Sequence, residues 1–195
     1  MKSFSRLTLV RHAPTAATRR HAFPLDEPLD EAGETEASGL RGRLRGSAAV
    51  AAPAARCLRT ALLAGFEPVA SDPRWSELDF GDWAGSTLSE IGDRDPRRLS
   101  AWLDDPRSAP PGGESLLSLR ERVRAALSDL AETVEDTVVF TSGGPVKAAV
   151  AAVLDAPDAA FWRLDVAPCS VTVLHCRSGV WTVRSVNADA GGEGR

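Results

Sequence analysis

Two short apolar runs, Leu7-Thr8-Leu9-Val10 and Thr137-Val138-Val139-Phe140-Thr141, each break off abruptly into a polar turn. Runs of this length are too short for a buried helix and fit strands covered on both faces, as in a parallel sheet layered by helices. The remaining signals alternate accordingly. Phe4 to Val10 reads as the first strand, and Asp30 can cap a helix running through Glu34 and Leu40 to about Leu44. Ala48 to Ala52 is a short strand, followed by a helix from about Ala55 to Ala64. The segment from Glu67 to Leu103 reads as irregular, broken by Pro68, Pro73, Gly81, Gly85, Gly92 and Pro96. Leu116, Leu119, Val123, Leu127 and Leu130 then recur at helical spacing. Gly143-Gly144 reads as a tight turn before a helix from Pro145 to Leu154. Ser170 to His175 and Val180 to Val186 are two last strands joined at Ser178-Gly179. This order predicts an α/β fold of three layers, α/β/α, with a mostly parallel central sheet.

With 195 residues, 43% of them hydrophobic, the chain can bury one substantial core. A single domain is expected over 1–187, with a frayed tail over 188–195. The net charge of −4 and the scattered basic residues argue against a nucleic-acid partner. The 21 arginines against 2 lysines, beside abundant alanine, read mainly as coding bias. The first apolar run is too short for a signal peptide or membrane span. Cys57, Cys169 and Cys176 are odd in number, without metal-ligand or CxxC spacing. They read as small core residues in a reducing cytoplasm, which sets the expected localisation. A monomer or homodimer is expected.

In sheets of this kind ligands sit beyond the carboxyl ends of the strands. Arg11-His12 and Thr141-Ser142-Gly143-Gly144 both fall at such ends. A neutral imidazole nitrogen can attack phosphorus, and a guanidinium can grip phosphate oxygens by two parallel hydrogen bonds. Four segments carry this chemistry: Leu-Val-Arg11-His12-Ala13-Pro-Thr15; Pro53-Ala-Ala-Arg56-Cys-Leu-Arg59-Thr60; Trp75-Ser-Glu77-Leu-Asp79-Phe80-Gly81-Asp-Trp83-Ala-Gly85; and Gly113-Glu114-Ser115. In this order, over roughly Leu7 to Asn187, the chain resembles the phosphoglycerate-mutase-like branch of the histidine phosphatase superfamily.

That resemblance implies a role for each matching position. His12 matches the histidine that is transiently phosphorylated, while Arg11 and Arg56 match the arginines that hold the phosphoryl group. Thr18 falls where relatives place a polar residue on the same phosphate. Glu77 matches the acid that protonates the leaving alcohol and then deprotonates water. No cofactor and no metal are implied. One position departs: Ser142 stands where the family has a second histidine, in Thr141-Ser142-Gly143-Gly144-Pro145. Serine can donate one hydrogen bond but supplies no positive charge. The backbone N–H groups from Gly143 onward are expected to help bind the anion. Trp75, Phe80, Trp83 and Trp102 read as packing residues, His21 as a loop residue near the pocket mouth, and His175 as structural or exposed.

The first functional reading is a metal-independent phosphomonoester hydrolase, working through a phosphohistidine on a small phosphorylated metabolite at an altered site. The second is a weakened or inactive relative that binds a phosphorylated ligand or a partner. A phosphoglycerate-type mutase is a third, for which the chain is short.

Overall fold

A computed structural model of the chain describes residues 4–133 and 135–191. Strand β1 (Phe4–Arg11) leads into a one-turn helix α1 (Ala16–Arg20), then α2 (Glu31–Ser38), β2 (Ala48–Ala51), α3 (Ala55–Leu63) and a two-residue β3 (Ala70–Ser71). Helices α4 (Leu88–Arg94), α5 (Pro96–Asp104) and α6 (Leu116–Ala131) precede β4 (Thr137–Thr141) and α7 (Gly143–Val153). A hairpin of β5 (Val171–Arg177) and β6 (Val180–Ala188) follows. Its turn residues, Ser178 and Gly179, both have positive φ (51° and 80°), as a two-residue type I′ connection demands.

The strands form one mixed sheet in the order β3-β2-β4-β1-β5-β6. β3, β2, β4 and β1 run parallel, β5 runs antiparallel to β1, and β6 antiparallel to β5. The expected mostly parallel α/β sheet is therefore present, and the antiparallel hairpin closes one side of it. The two central strands carry the apolar runs. Leu7, Leu9 and Val10 of β1 and Val138, Val139 and Phe140 of β4 are all buried, packed with Leu119 and Val123 of α6 and Val146 of α7. Each side chain of this kind contributes about 1.5–3 kcal/mol by leaving water.

Register fixes the site. Leu7 lies opposite Thr137 and Arg11 opposite Thr141, so β1 and β4 end level with one another. His12 N–H donates to Thr141 O at 2.7 Å, tying the two exits together. His12 and Ser142 are thereby the first residues beyond adjacent strands.

Several boundaries differ from the sequence expectation, each for a local reason. α2 begins as expected, with Asp30 Oδ1 accepting from Gly33 N–H at 2.7 Å, but it stops at Ser38. The chain then turns through Gly39 and reaches φ +74° at Gly42, which a helix cannot contain. The supposedly irregular stretch holds two helices with strong starts. Thr87 and Glu90 form a reciprocal capping box for α4, and Asp95 caps α5 with Pro96 in its first turn. Gly143-Gly144 is no turn: both residues open α7, with Ser142 as its N-cap. β6 runs to Ala188 and Ala190 is buried, so the segment expected as tail begins inside the fold; 192–195 lie outside the described residues.

Candidate active site

His12 is 4% exposed and its Nδ1 lies 2.7 Å from Ala13 O. A carbonyl oxygen can only accept, so Nδ1 carries the proton and Nε2 is left with its lone pair. Burial pushes the His12 pKa down to about 3, helped by the Arg56 and Arg11 charges and opposed by the Ala13 hydrogen bond. The ring is thus neutral at physiological pH, in the tautomer a nucleophile needs.

Two arginines flank it. Arg11 is the last residue of β1; its Nη1 donates to Val166 O, and burial lowers its pKa against the pull of Glu77 and Asp165. Arg56 lies in the first turn of α3, 4% exposed, with Nη1 donating to Leu25 O at 2.6 Å. Thr60 fixes α3 to the strand end: its Oγ1 donates to Arg56 O at 2.7 Å and accepts from Ala13 N–H at 3.1 Å. One hydroxyl therefore sets the spacing between the arginine and the histidine. Arg11 Nε, Arg56 Nε and Ser142 Oγ are all buried without a hydrogen-bond partner. Such orphaned donors call for an acceptor, and a tetrahedral oxyanion offers several.

Glu77 reaches the same place from the connection before α4. Its Oε1 accepts from Leu78 N–H at 2.8 Å and its Oε2 from Gly144 N–H at 3.0 Å. A Cβ on Gly144 would overlap Glu77 Oε1 outright, so the glycine is required for the carboxylate to seat there. The backbone carrying Glu77 is pinned from two sides. Thr141 Oγ1 donates to Trp75 O at 2.5 Å. Arg122 of α6 donates to Arg74 O, Ser76 O and Glu77 O at 2.7–3.0 Å, while Glu114 grips its guanidinium with two bonds of 2.8 Å. Arg122 was not singled out by the sequence reading. One arginine among 21, at a helical position, gives no local signal.

The departure at position 142 has a definite structural form. Ser142 is 1% exposed, caps α7 only through its backbone, and its hydroxyl has no hydrogen-bond partner. The Cys57 thiol is its neighbour and at best a weak partner; burial holds that thiol up at about 12, against the pull of the Arg56 charge and of Ser142. The helix start contributes less to an anion than the sequence suggested. Gly144 N–H is taken by Glu77 and Pro145 has none, leaving that of Gly143.

A cavity of about 350 Å³ opens over these groups. Arg11, His12, Thr18, Glu77, Gly143 and Lys147 line its polar side, and Phe23, Phe80, Trp102, Phe161 and Trp162 its apolar side. Arg56 and Ser142, both buried, are not among its lining residues. Thr18, on α1, keeps its hydroxyl 3.1 Å from that of Thr15. The aromatic side is continuous: Phe23 stacks on Phe80 at 4.2 Å, and Trp102 meets Trp162 edge-on at 4.7 Å. Phe80 and Trp102 pack with the core, as expected, and also border the cavity. Trp75 and Trp83 are pure core. His21 sits at the rim, and His175 packs against Phe4 at the opposite end of β1. Among the described residues no group of three His, Cys, Asp or Glu is placed to hold a metal, and no helix is long and apolar enough to cross a membrane.

Residues 7–189 match the model of the histidine phosphatase superfamily (branch 1), and the chain belongs to that superfamily. It is 33% identical over 94% of its length to a bifunctional protein of Mycobacterium tuberculosis, 54% of which is covered. The chain thus spans about half the length of that relative. It is 31% identical to the glucosyl-3-phosphoglycerate phosphatase of Mycolicibacterium vanbaalenii, over 78% of this chain and 75% of that protein. Among solved structures, a mycobacterial glucosyl-3-phosphoglycerate phosphatase in complex with VO3 superposes with a TM-score of 0.83 at 29% identity, covering 95% of this chain and all of the other.

Proposed function

We propose that this chain hydrolyses phosphomonoesters of small metabolites through a phosphohistidine at His12. The observation that carries the reading is the state of His12: buried, neutral, its Nδ1–H committed to Ala13 O and its Nε2 unspent. Nε2 attacks phosphorus as the bond to the leaving oxygen breaks, and that oxygen takes a proton from Glu77, which enters this step as the carboxylic acid and leaves it as the carboxylate. Arg11 and Arg56 offset the phosphoryl charge throughout, and the orphaned Nε donors of both find acceptors in the phosphoryl oxygens. Glu77 then takes a proton from water, whose oxygen attacks phosphorus from the side opposite Nε2. The P–N bond breaks, phosphate leaves, and neutral His12 returns. The groups invoked are all on this chain, and no step is assigned to a metal.

Ser142 favours a slow version of this enzyme. A neutral hydroxyl replaces a donor that could carry charge, and losing one preorganised donor costs on the order of 10²–10³ in kcat. The relatives act on phosphorylated small molecules, and the cavity volume suits a substrate of that size. Turnover of p-nitrophenyl phosphate by the purified protein, abolished in His12→Ala, is the expected result. Equal rates in the two proteins would rule the reading out.

A further inference from the structure

Helix α7 starts against the site and carries one charged side chain, Lys147. Lys147 follows Gly143 by four residues, so the two share a face of the helix, and helical side chains lean toward the N-terminus. Gly143 adds no side chain to that face; a Cβ there would meet Arg11 Nε and Cζ at 3.7 and 3.8 Å. The Lys147 stem therefore leans over an open surface toward Arg11, in the cavity that His12 and Glu77 also line. Its ammonium rests 5.6 Å from the centre of the Phe161 ring. Among the described residues it has no hydrogen bond and no ion pair, so three donors are unused. Burial lowers its pKa, Glu77 opposes this most, Arg11 presses with burial, and Asp165 pulls more weakly against them. The charges it feels most are thus the proposed proton carrier and an arginine proposed to hold the phosphoryl group. Ser142, at the start of the same helix, offers only a buried neutral hydroxyl. Lys147 is the one cation that α7 can bring to the site.

We propose that Lys147 is a catalytic residue: its ammonium leaves Phe161 and donates to an oxygen of the transferring phosphoryl group beside Glu77. The inference rests on the phosphatase reading and adds a group to it. As an alkoxide leaving group takes its proton, Glu77 becomes a carboxylate next to a phosphoryl group that is still dianionic. Two neighbouring anions repel, and Arg11 and Arg56 already faced the phosphoryl charge before the step began. A further cation reaching both anions stabilises this arrangement more than the one before it. That is the condition for raising kcat rather than lowering KM. Lysine suits the part, because a compact charge on a flexible stem can follow the phosphoryl group from the leaving oxygen to Nε2. Its resting place gives way readily, since a cation–π contact is weaker than a charge-assisted hydrogen bond to a phosphoryl oxygen.

Lys147→Met removes the charge and keeps an unbranched apolar stem, and urea unfolding checks that the variant folds. Two alkyl phosphates with different leaving groups, glycerol 3-phosphate and 3-phosphoglycerate, serve as substrates. In Lys147→Met kcat should fall on the order of 10²-fold on both, with KM shifted by less than about threefold. Lys147→Arg should recover part of kcat. Calorimetry supplies a second readout. Vanadate, which adopts the five-coordinate geometry of transfer, should lose at least about tenfold in affinity in Lys147→Met, and phosphate less than about threefold. In Ser142→His protein the same Lys147→Met change should cost less, because a second donor then shares the phosphoryl charge. An unchanged kcat, or a loss confined to KM, overturns the proposal. So does a loss on 3-phosphoglycerate alone, which would place the ammonium on the leaving group. Equal losses of vanadate and phosphate affinity would make Lys147 a ground-state anchor and overturn it as well. Absence of turnover in the native protein would remove the hydrolytic reading. A selective loss of vanadate in Lys147→Met would then still support the phosphoryl contact, and vanadate binding untouched by that change would sink both.

Discussion

Replacing Gly144 with alanine isolates the placement of Glu77 from every other feature of the site. Gly144 is the second residue of α7 and has no positive φ, so alanine is compatible with the backbone there and favours the helix by up to about 1 kcal/mol. The obstacle is steric. The new Cβ would overlap Glu77 Oε1 and stand 3.0 Å from its Cδ, where unstrained carbon contacts need about 3.5–4.0 Å. Glu77 must retreat by roughly 1 Å, and a displacement of that size in a catalytic group costs on the order of 10²-fold in rate. The Gly144 N–H···Oε2 bond weakens as well, a charge-assisted bond worth about 1.5–3 kcal/mol. That loss roughly cancels or modestly exceeds the helix gain, so the variant folds with stability changed by no more than about 2 kcal/mol. Activity should fall far more than stability. The fall should be steeper on an alkyl phosphate, whose leaving oxygen needs a proton, than on p-nitrophenyl phosphate, whose leaving group does not. Steady-state kinetics on both substrates, with urea unfolding as the control, separate the two effects. Wild-type kcat/KM on both substrates in Gly144→Ala would refute the assignment of Glu77 as the proton carrier.

Three further outcomes are expected. Ser142→His should raise kcat about ten- to a thousand-fold by restoring a strong donor, at a stability cost of about 1–3 kcal/mol because the site is already filled; a slower enzyme would mean that serine is the working residue. Arg11→Ala should weaken phosphate or vanadate binding by at least about tenfold, read by calorimetry, and unchanged affinity would place the anion elsewhere. His12 is held neutral by the fold, down to about 3 against the ordinary 6.5, so the unfolded chain takes up its proton first as pH drops. The protein should lose stability between pH 6.5 and 3, by up to about 5 kcal/mol from this group. His12→Gln should flatten the slope between pH 5.5 and 4 by about 1.4 kcal/mol per pH unit, and identical slopes would contradict a buried neutral His12.

The placement of the candidate-site residues was more legible in the sequence than the connections. Arg11, His12 and Ser142 sit at strand exits that the apolar runs reveal, whereas Arg56 at a helix start and Glu77 in a loop were singled out only by the resemblance to the superfamily. What escaped was tertiary. Arg122 acts on a loop some 45 residues away through backbone carbonyls, which no pattern encodes. The aromatic wall assembles Phe23, Phe80, Trp102 and Trp162 from four separate segments. Helices α4 and α5 were readable in principle from Thr87-x-x-Glu90 and Asp95-Pro96, but the glycines and prolines around them outweighed those caps. The supposed Gly143-Gly144 turn failed for the opposite reason. Glycine there answers the close approach of Glu77 rather than a need for an unusual φ.

The account stands on Nε2 of His12 as the atom that takes the phosphoryl group. Rapid quenching in alkali during turnover of a phosphomonoester, followed by mass spectrometry of the peptide containing His12, observes the phosphorylated residue directly. The expected result is one acid-labile phosphoryl group on His12, formed and lost at rates matching turnover and absent from His12→Ala. Steady turnover with His12 unmodified at every time point, or undiminished activity in His12→Ala, would contradict the mechanism.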